Sequence, residues 1–166
     1  SNGGKGIYIA GSATVESFYN NTIHSNTSDG IYVDGGSDTQ VTISNNVITS
    51  NGGYGINIAN APSGTTVVFT DKNFFYSNTS GEINNTARTF PLMSNVTLTG
   101  TPYTSAGTGD YSLNNTAGAG AAVRSAAAYN AFPTGTTTSY FDGGAVQKNS
   151  SGGTTATVMT ISVGGL

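Results

Sequence analysis

The chain is poor in residues that can do chemistry: eight Asp or Glu, five Lys or Arg, one His and no Cys among 166 residues. Cutting a glycosidic bond asks for two carboxylates roughly 5–9.5 Å apart across it. The acids closest in sequence are Asp34 and Asp38, in the run Asp34-Gly35-Gly36-Ser37-Asp38. A Gly-rich turn is a common place for Asp, whose side chain bonds the local backbone. The same two acids are the candidates for a calcium site, but such a site usually gathers about six or more oxygens. A lyase base would need Arg88 or Lys72 beside a cation-held carboxylate, and Lys72 adjoins only Asp71, as in a solvated turn. The lone His24 has no Ser-His-Asp arrangement around it and reads as an outward surface residue. No catalytic residue, cofactor or metal follows from these residues.

Binding is the remaining chemistry. Tyr8 and Tyr32 sit in matching Gly-Ile-Tyr-Ile/Val runs, with Asn57 continuing the series in Gly55-Ile56-Asn57-Ile58. Aromatic faces one coil apart offer a flat platform to a sugar ring, while Asn and Thr neighbours bond its hydroxyls. The plainer reading is that neighbouring tyrosines stabilise the sheet by cross-strand contact. His24 and Tyr76 belong to a second such series and complete the candidate ligand-binding residues.

What must position these residues is a repeat. Gly6, Gly30 and Gly55 open the runs above, 24 and then 25 residues apart. A second motif keeps pace: Asn21-Thr22-Ile23-His24-Ser25-Asn26, Asn46-Val47-Ile48-Thr49-Ser50-Asn51 and Asn73-Phe74-Phe75-Tyr76-Ser77-Asn78, in steps of 25 and 27. Alternation within the runs puts Ile31, Val33, Val41, Ile43 and Ile48 inside and Tyr32, Thr42 and Thr49 outside. One coil cannot bury its apolar side alone, whereas coils stacked about 4.8 Å apart bury it and pair every strand. Leucine-rich repeats are excluded: the four Leu (Leu92, Leu98, Leu113, Leu166) fall outside the three clear coils.

Asn26, Asn51 and Asn78 recur where a strand ends and the chain turns. Asn tolerates left-handed backbone, so these three are expected to form a structural ladder along one corner. The alternative is glycosylation, since Asn20, Asn26, Asn78, Asn84, Asn95, Asn114 and Asn149 precede x-Ser/Thr. Stacked positions lie one repeat apart, which places Asp34 near Ala10 and Ala59, Glu16 near Val41 and Asp71 near Ser44. No acid gains an acidic partner on the next coil.

The pattern Asn-Asn-Thr-Ile-x-x-Asn followed by Gly-Ile-Tyr-Val resembles the parallel β-helix repeat family. That family includes pectate-lyase-like enzymes, phage tailspikes and many bacterial surface proteins. The resemblance covers residues 1 to about 85, reaching towards Leu98. It implies an all-β, right-handed parallel β-helix of three to four coils, and it is specific for fold rather than function. The later run from Gly109-Asp110-Tyr111-Ser112-Leu113 to Tyr140-Phe141-Asp142-Gly143-Gly144-Ala145-Val146-Gln147 resembles the closing segment of bacterial β-helix surface proteins, with Gly143 where that run usually carries Ile.

Three segments are expected: coils over 1–98, a non-repetitive cap over 99–148 that covers the last coil, and a linker with strand-like tail over 149–166. In the tail, Met159, Ile161 and Val163 alternate with Thr160 and Ser162, as an assembly strand for a neighbouring subunit or an edge strand on the chain's own cap. Ser1-Asn2-Gly3-Gly4 repeats Ser50-Asn51-Gly52-Gly53, so the stack is expected to open on an exposed coil end, as a fragment of a longer β-helix would.

A net charge of −3 leaves little to neutralise a phosphate backbone, so nucleic acid is not an expected partner. No apolar run reaches a membrane span of about 20 residues. The expectation is a non-enzymatic structural or assembly module of an extracellular, cell-surface, fibre or virion protein. Self-association, neighbouring subunits and glycans are its expected partners. The alternatives are a carbohydrate-binding or adhesion module, or the end of a polysaccharide-degrading β-helix enzyme whose active coils lie upstream.

Overall fold

Each repeat contains three short alternating runs, and in the computed structural model each run is one strand. The structure describes residues 4–11, 15–35, 40–60, 67–85, 92–124, 126 and 143–145. Coil one holds β1 (Ile7–Gly11), β2 (Val15–Tyr19) and β3 (Thr22–His24). Coil two holds β4 (Ile31–Gly35), β5 (Gln40–Ser44) and β6 (Val47–Thr49). Coil three holds β7 (Tyr54–Asn60), β8 (Val67–Asp71) and β9 (Phe74–Tyr76). The fourth turn of chain adds β10 (Gly81–Asn85), β11 (Leu92–Met93) and β12 (Val96–Thr97).

These strands stack into three parallel sheets, ordered β1-β4-β7-β10, β2-β5-β8-β11 and β3-β6-β9-β12. The register follows the glycine spacing: Ile7, Ile31 and Ile56 align, as do Tyr8, Tyr32 and Asn57. Inward columns such as Ile9–Val33–Ile58 and Val41–Val68 fill a core that excludes water. One alignment differs from the sequence reading. Asp34 pairs with Asn60 instead of Ala59, because β7 carries an irregularity after the Val33 pair that inserts one residue.

The glycines at the head of the first sheet have a steric reason. A Cβ on Gly30 would lie 2.7 Å from the Gly55 carbonyl oxygen, 2.7 Å from Ile48 Cγ2 and 3.0 Å from Asn51 Nδ2. Gly6 and Gly55 meet equivalent neighbours. The chain therefore turns this corner so close to the core that a methyl group does not fit.

Two corners are laced by asparagine amides. Asn26 Nδ2 donates to Asn51 Oδ1 at 2.9 Å, and Asn51 Nδ2 to Asn78 Oδ1 at 2.8 Å. The backbone N–H of Asn26 and of Asn51 donates to the same oxygens. A longer ladder, unread in the sequence, runs Asn21–Asn46–Asn73–Asn95 in the same way. The left-handed backbone lies one residue earlier than expected, on Ser25, Ser50 and Ser77 before one ladder and on Asn20, Asn45, Lys72 and Ser94 before the other. That residue makes the corner, which frees the Asn to extend its amide along the stack.

Beyond Leu98 the chain leaves the coil path. Within the non-repetitive segment, residues 101–109 form β13 (Tyr103–Ser105) and a 3-10 turn (Ala106–Thr108), and β13 pairs antiparallel with β14 (Asp110–Leu113). A single helical turn, α1 (Gly120–Val123), follows. The described part of this segment packs sideways on the outer face of the third sheet, where Val47 and Phe74 meet Leu98, Tyr103, Leu113 and Val123 in a second apolar cluster. Strands β6 and β9 are thus buried on both faces: Ile48 and Phe75 inside the helix, Val47 and Phe74 beneath the hairpin.

Candidate functional site

The outer face of the first sheet carries the tyrosine series. Tyr8 and Tyr32 are register partners, and the pleat turns both outward while Ile7, Ile9, Ile31 and Val33 turn in. Their ring centroids lie 5.5 Å apart at 34°, a tilted pair. Lys5 Nζ lies over both faces, 4.3 Å from the Tyr32 centroid and 5.3 Å from that of Tyr8. The Tyr8 hydroxyl donates to Asp34 Oδ2 at 2.9 Å. This bond to a carboxylate raises the phenol above its ordinary pKa.

Amides continue the column. Asn84 Nδ2 donates to Asn57 Oδ1 at 2.9 Å, and Asn57 Nδ2 to Asp29 Oδ2 at 3.1 Å. Asp29, a residue the sequence reading passed over, is buried, and its Oδ1 accepts from the Tyr54 N–H at 2.7 Å. The carboxylate thereby pins coil two to coil three beneath the face. Tyr8 is 53% exposed, so one aromatic ring of the face stands in solvent. The combination of aromatic planes, an ammonium, a carboxylate and amides can stack on and hydrogen-bond a polyhydroxylated ring.

His24 and Tyr76 lie elsewhere. Both stack with Thr49 on the third sheet, as spacing predicts, and His24 faces outward there but is half-buried instead of standing free in solvent. The rings of Tyr103 and Tyr111 meet its imidazole edge-on, at 5.4 and 5.5 Å, and each other at 5.2 Å. His24 Nδ1 lies 2.9 Å from Thr49 Oγ1, whose hydroxyl donates to the Tyr103 oxygen at 3.1 Å. Thr49, also read as outward, is buried for the same reason: the hairpin covers it. Burial lowers the His24 pKa and raises that of the Tyr103 phenol. This is a clasp between hairpin and coils, and it does not join the tyrosine face.

The acids remain apart. Glu16 aligns with Val41 and, through it, Val68, so it occupies an inward column of coil one instead of an outer face. Asp71 aligns with Ser44. Among the described residues no three of His, Cys, Asp and Glu gather as a metal would require. Asp38, Met159, Ile161 and Val163 lie outside the described residues.

Five of the seven Asn-x-Ser/Thr sites are engaged by the fold. The Nδ2 atoms of Asn26, Asn78, Asn84, Asn95 and Asn114 all donate within the chain. No described helix is long and apolar enough to cross a membrane.

Comparison with known proteins agrees with the architecture. Searches among curated proteins and among solved structures returned no match. The profile of the family described as right handed beta helix region matches residues 5–116, a span that takes in all three stacked sheets and the hairpin. With parallel coils in register over most of that span, the chain belongs to the right-handed β-helix family.

Proposed function

We propose that this chain is a non-enzymatic structural module, a stiff β-helical segment of an extracellular surface, fibre or particle protein. The observation that carries this reading is the pair of asparagine ladders, whose side-chain amides are spent on holding coils in register. Polar side chains used in this way build a rod and leave little for substrate. The low share of charged residues, 8%, also suits an exposed, protease-facing surface built of Thr, Asn and Gly. The test is to incubate the purified chain with a panel of neutral and acidic polysaccharides and follow new reducing ends and unsaturated products. No release is expected. Cleavage of any member, abolished by changing Asp34 or Glu16, overturns the structural reading.

A second reading, adhesion to carbohydrate, is favoured by one specific observation: the solvent-facing Tyr8–Tyr32 pair with Lys5, Asp34 and Asn57 around it. Glycan-array binding that is lost in Tyr32→Ala supports it. Binding that survives Tyr32→Ala, or none at all, removes it.

A further inference from the structure

Every asparagine of the two ladders but one is followed by a branched or aromatic side chain. Thr22, Val47, Phe74 and Val96 follow Asn21, Asn46, Asn73 and Asn95, and Thr27 and Thr79 follow Asn26 and Asn78. Asn51 alone is followed by glycine. The reason is steric. A Cβ on Gly52 would lie 2.3 Å from the Thr27 carbonyl oxygen and 2.9 Å from its carbonyl carbon, and backbone cannot swing aside as a side chain can. The ladder thus asks for Asn at 51, and the coil before it asks for Gly at 52.

Asn followed by Gly is the dipeptide in which a chain most easily attacks itself. The glycine backbone nitrogen adds to the asparagine Cγ and gives up its proton to water. The bond from Cγ to Nδ2 breaks, and ammonia leaves. Water then opens the remaining five-membered imide at one carbonyl or the other, giving aspartate or isoaspartate. The net change is hydrolysis: water enters, ammonia departs, and nothing is oxidised or reduced. Glycine favours the attack because it has no Cβ to screen the nitrogen and few limits on its backbone.

In the folded chain each participant is engaged. The Gly52 N–H donates to the Asn26 carbonyl at 2.9 Å. Asn51 Nδ2 donates to Asn78 Oδ1 at 2.8 Å, and Asn51 Oδ1 accepts from Asn26 Nδ2 at 2.9 Å. Asn51 is fully buried whereas Gly52 is exposed, so solvent is at hand as soon as the corner opens. We propose that Asn51-Gly52 is a deamidation site that the fold holds shut and that opening of this corner releases. The product does not fit the site it came from. An aspartate at this position sets a charge and a second acceptor against Asn78 Oδ1 in a fully buried place. Isoaspartate adds a carbon to the main chain, which carries the Gly52 N–H off the Asn26 carbonyl. The corner is therefore a one-way mark: an intact Asn51 belongs to a chain that has stayed closed.

The unaltered chain supplies the first test. It is kept in mildly alkaline buffer, folded in one sample and in concentrated urea in the other, and conversion at Asn51 is followed by peptide mass and isoaspartate content. Conversion in urea is expected to outrun that in the folded chain at least about a hundredfold, since the folded rate is limited by the open population. Equal rates overturn the proposal, as does an Asn51 that stays intact in urea. The second test uses an Asn2→Gln variant, in which Asn51-Gly52 is the single Asn-Gly pair. Chains converted in urea carry one added negative charge and are separated from unconverted chains by anion exchange. After dilution from urea the unconverted chains are expected to regain slow hydrogen exchange at Asn51 and Gly52, and the converted chains are not. Converted chains that refold with the urea midpoint of unconverted ones overturn the one-way mark.

Discussion

Asn51 Nδ2 donates to Asn78 Oδ1 at 2.8 Å, while Asn51 Oδ1 accepts both the backbone and the side-chain N–H of Asn26. One buried amide thus serves three coils. Asn51→Ala leaves the backbone and side-chain N–H of Asn26 without their acceptor, at about 1–3 kcal/mol for each such group, while Asn78 Oδ1 keeps the backbone N–H of residue 51. Urea denaturation is expected to show a loss of about 2–5 kcal/mol. Asn51→Asp, which keeps the shape but replaces the donor by a second acceptor facing Asn78 Oδ1, is expected to lose more than Asn51→Ala. Equal stability of wild type and Asn51→Ala would show that the ladder contributes nothing.

Two glycines separate steric from conformational causes. Gly30 has an ordinary φ but no room, and Gly30→Ala is expected to cost about 1–3 kcal/mol through overpacking. Gly109 has room but φ +83°, and Gly109→Ala is expected to cost about 1–2 kcal/mol through backbone strain alone. Raising the medium to stabilise compact states does not distinguish them, but a Gly109→Asn variant does: it is expected to recover part of the loss, since Asn accepts left-handed backbone. Gly30→Asn, in a crowded site, is expected to be worse than Gly30→Ala.

His24 makes the clasp sensitive to acid. Its folded-state pKa is held below the unfolded value of about 6.5 by burial against the hairpin. The unfolded chain therefore binds the proton more readily. The stabilisation is fully present above pH about 6.5 and is lost as pH falls through the folded pKa. Urea midpoints measured from pH 8 down to 5 are expected to fall, and His24→Phe, which keeps an aromatic contact with Tyr103 and Tyr111, is expected to flatten that part of the profile. An unchanged slope in His24→Phe would assign the acid sensitivity to other groups.

Phe74 ties the hairpin to the coils. It is fully buried although it points away from the helix interior, because Val123, Leu113 and Gly143 cover it. Phe74→Ala is expected to destabilise by about 3–5 kcal/mol. It is also expected to raise hydrogen exchange across Tyr103–Leu113 more than across β4 and β7. Phe75→Ala, one residue along and inside the core, is expected to reverse that order.

The stacked core was legible because it repeats. Gly6, Gly30 and Gly55 set the register, and the inward placement of Ile31, Val33, Val41, Ile43 and Ile48 followed from alternation. The Asn21–Asn46–Asn73 series was equally visible as a repeat, yet its role depends on amide directions that spacing does not encode. Alternation failed on the third sheet. Thr49 and His24 point outward as read, but a segment some 50 to 90 residues later in the chain folds back over them, and no local pattern announces such a contact. The irregularity that moves the Asp34 partner to Asn60 is likewise a single inserted residue within an otherwise regular strand. Of the tyrosine face, the Tyr8–Tyr32 alignment was readable, whereas Lys5 over the rings and Asp29 beneath Asn57 are three-dimensional facts.

In both ladders each bond from one asparagine to the next is donated toward the higher-numbered coil, Asn21 to Asn46 to Asn73 to Asn95 and Asn26 to Asn51 to Asn78, while Asn46, Asn73 and Asn78 Nδ2 also reach back to carbonyls of the coil before. The rod is therefore vectorial, like a column of arrows. An extra 25-residue coil spliced between coils two and three meets a donor on one side and an acceptor on the other, so lengthening by whole coils preserves the grammar of the stack. A coil lacking either asparagine breaks the line at that point, and a rod of this kind grows by duplication more readily than by fusion to foreign strands.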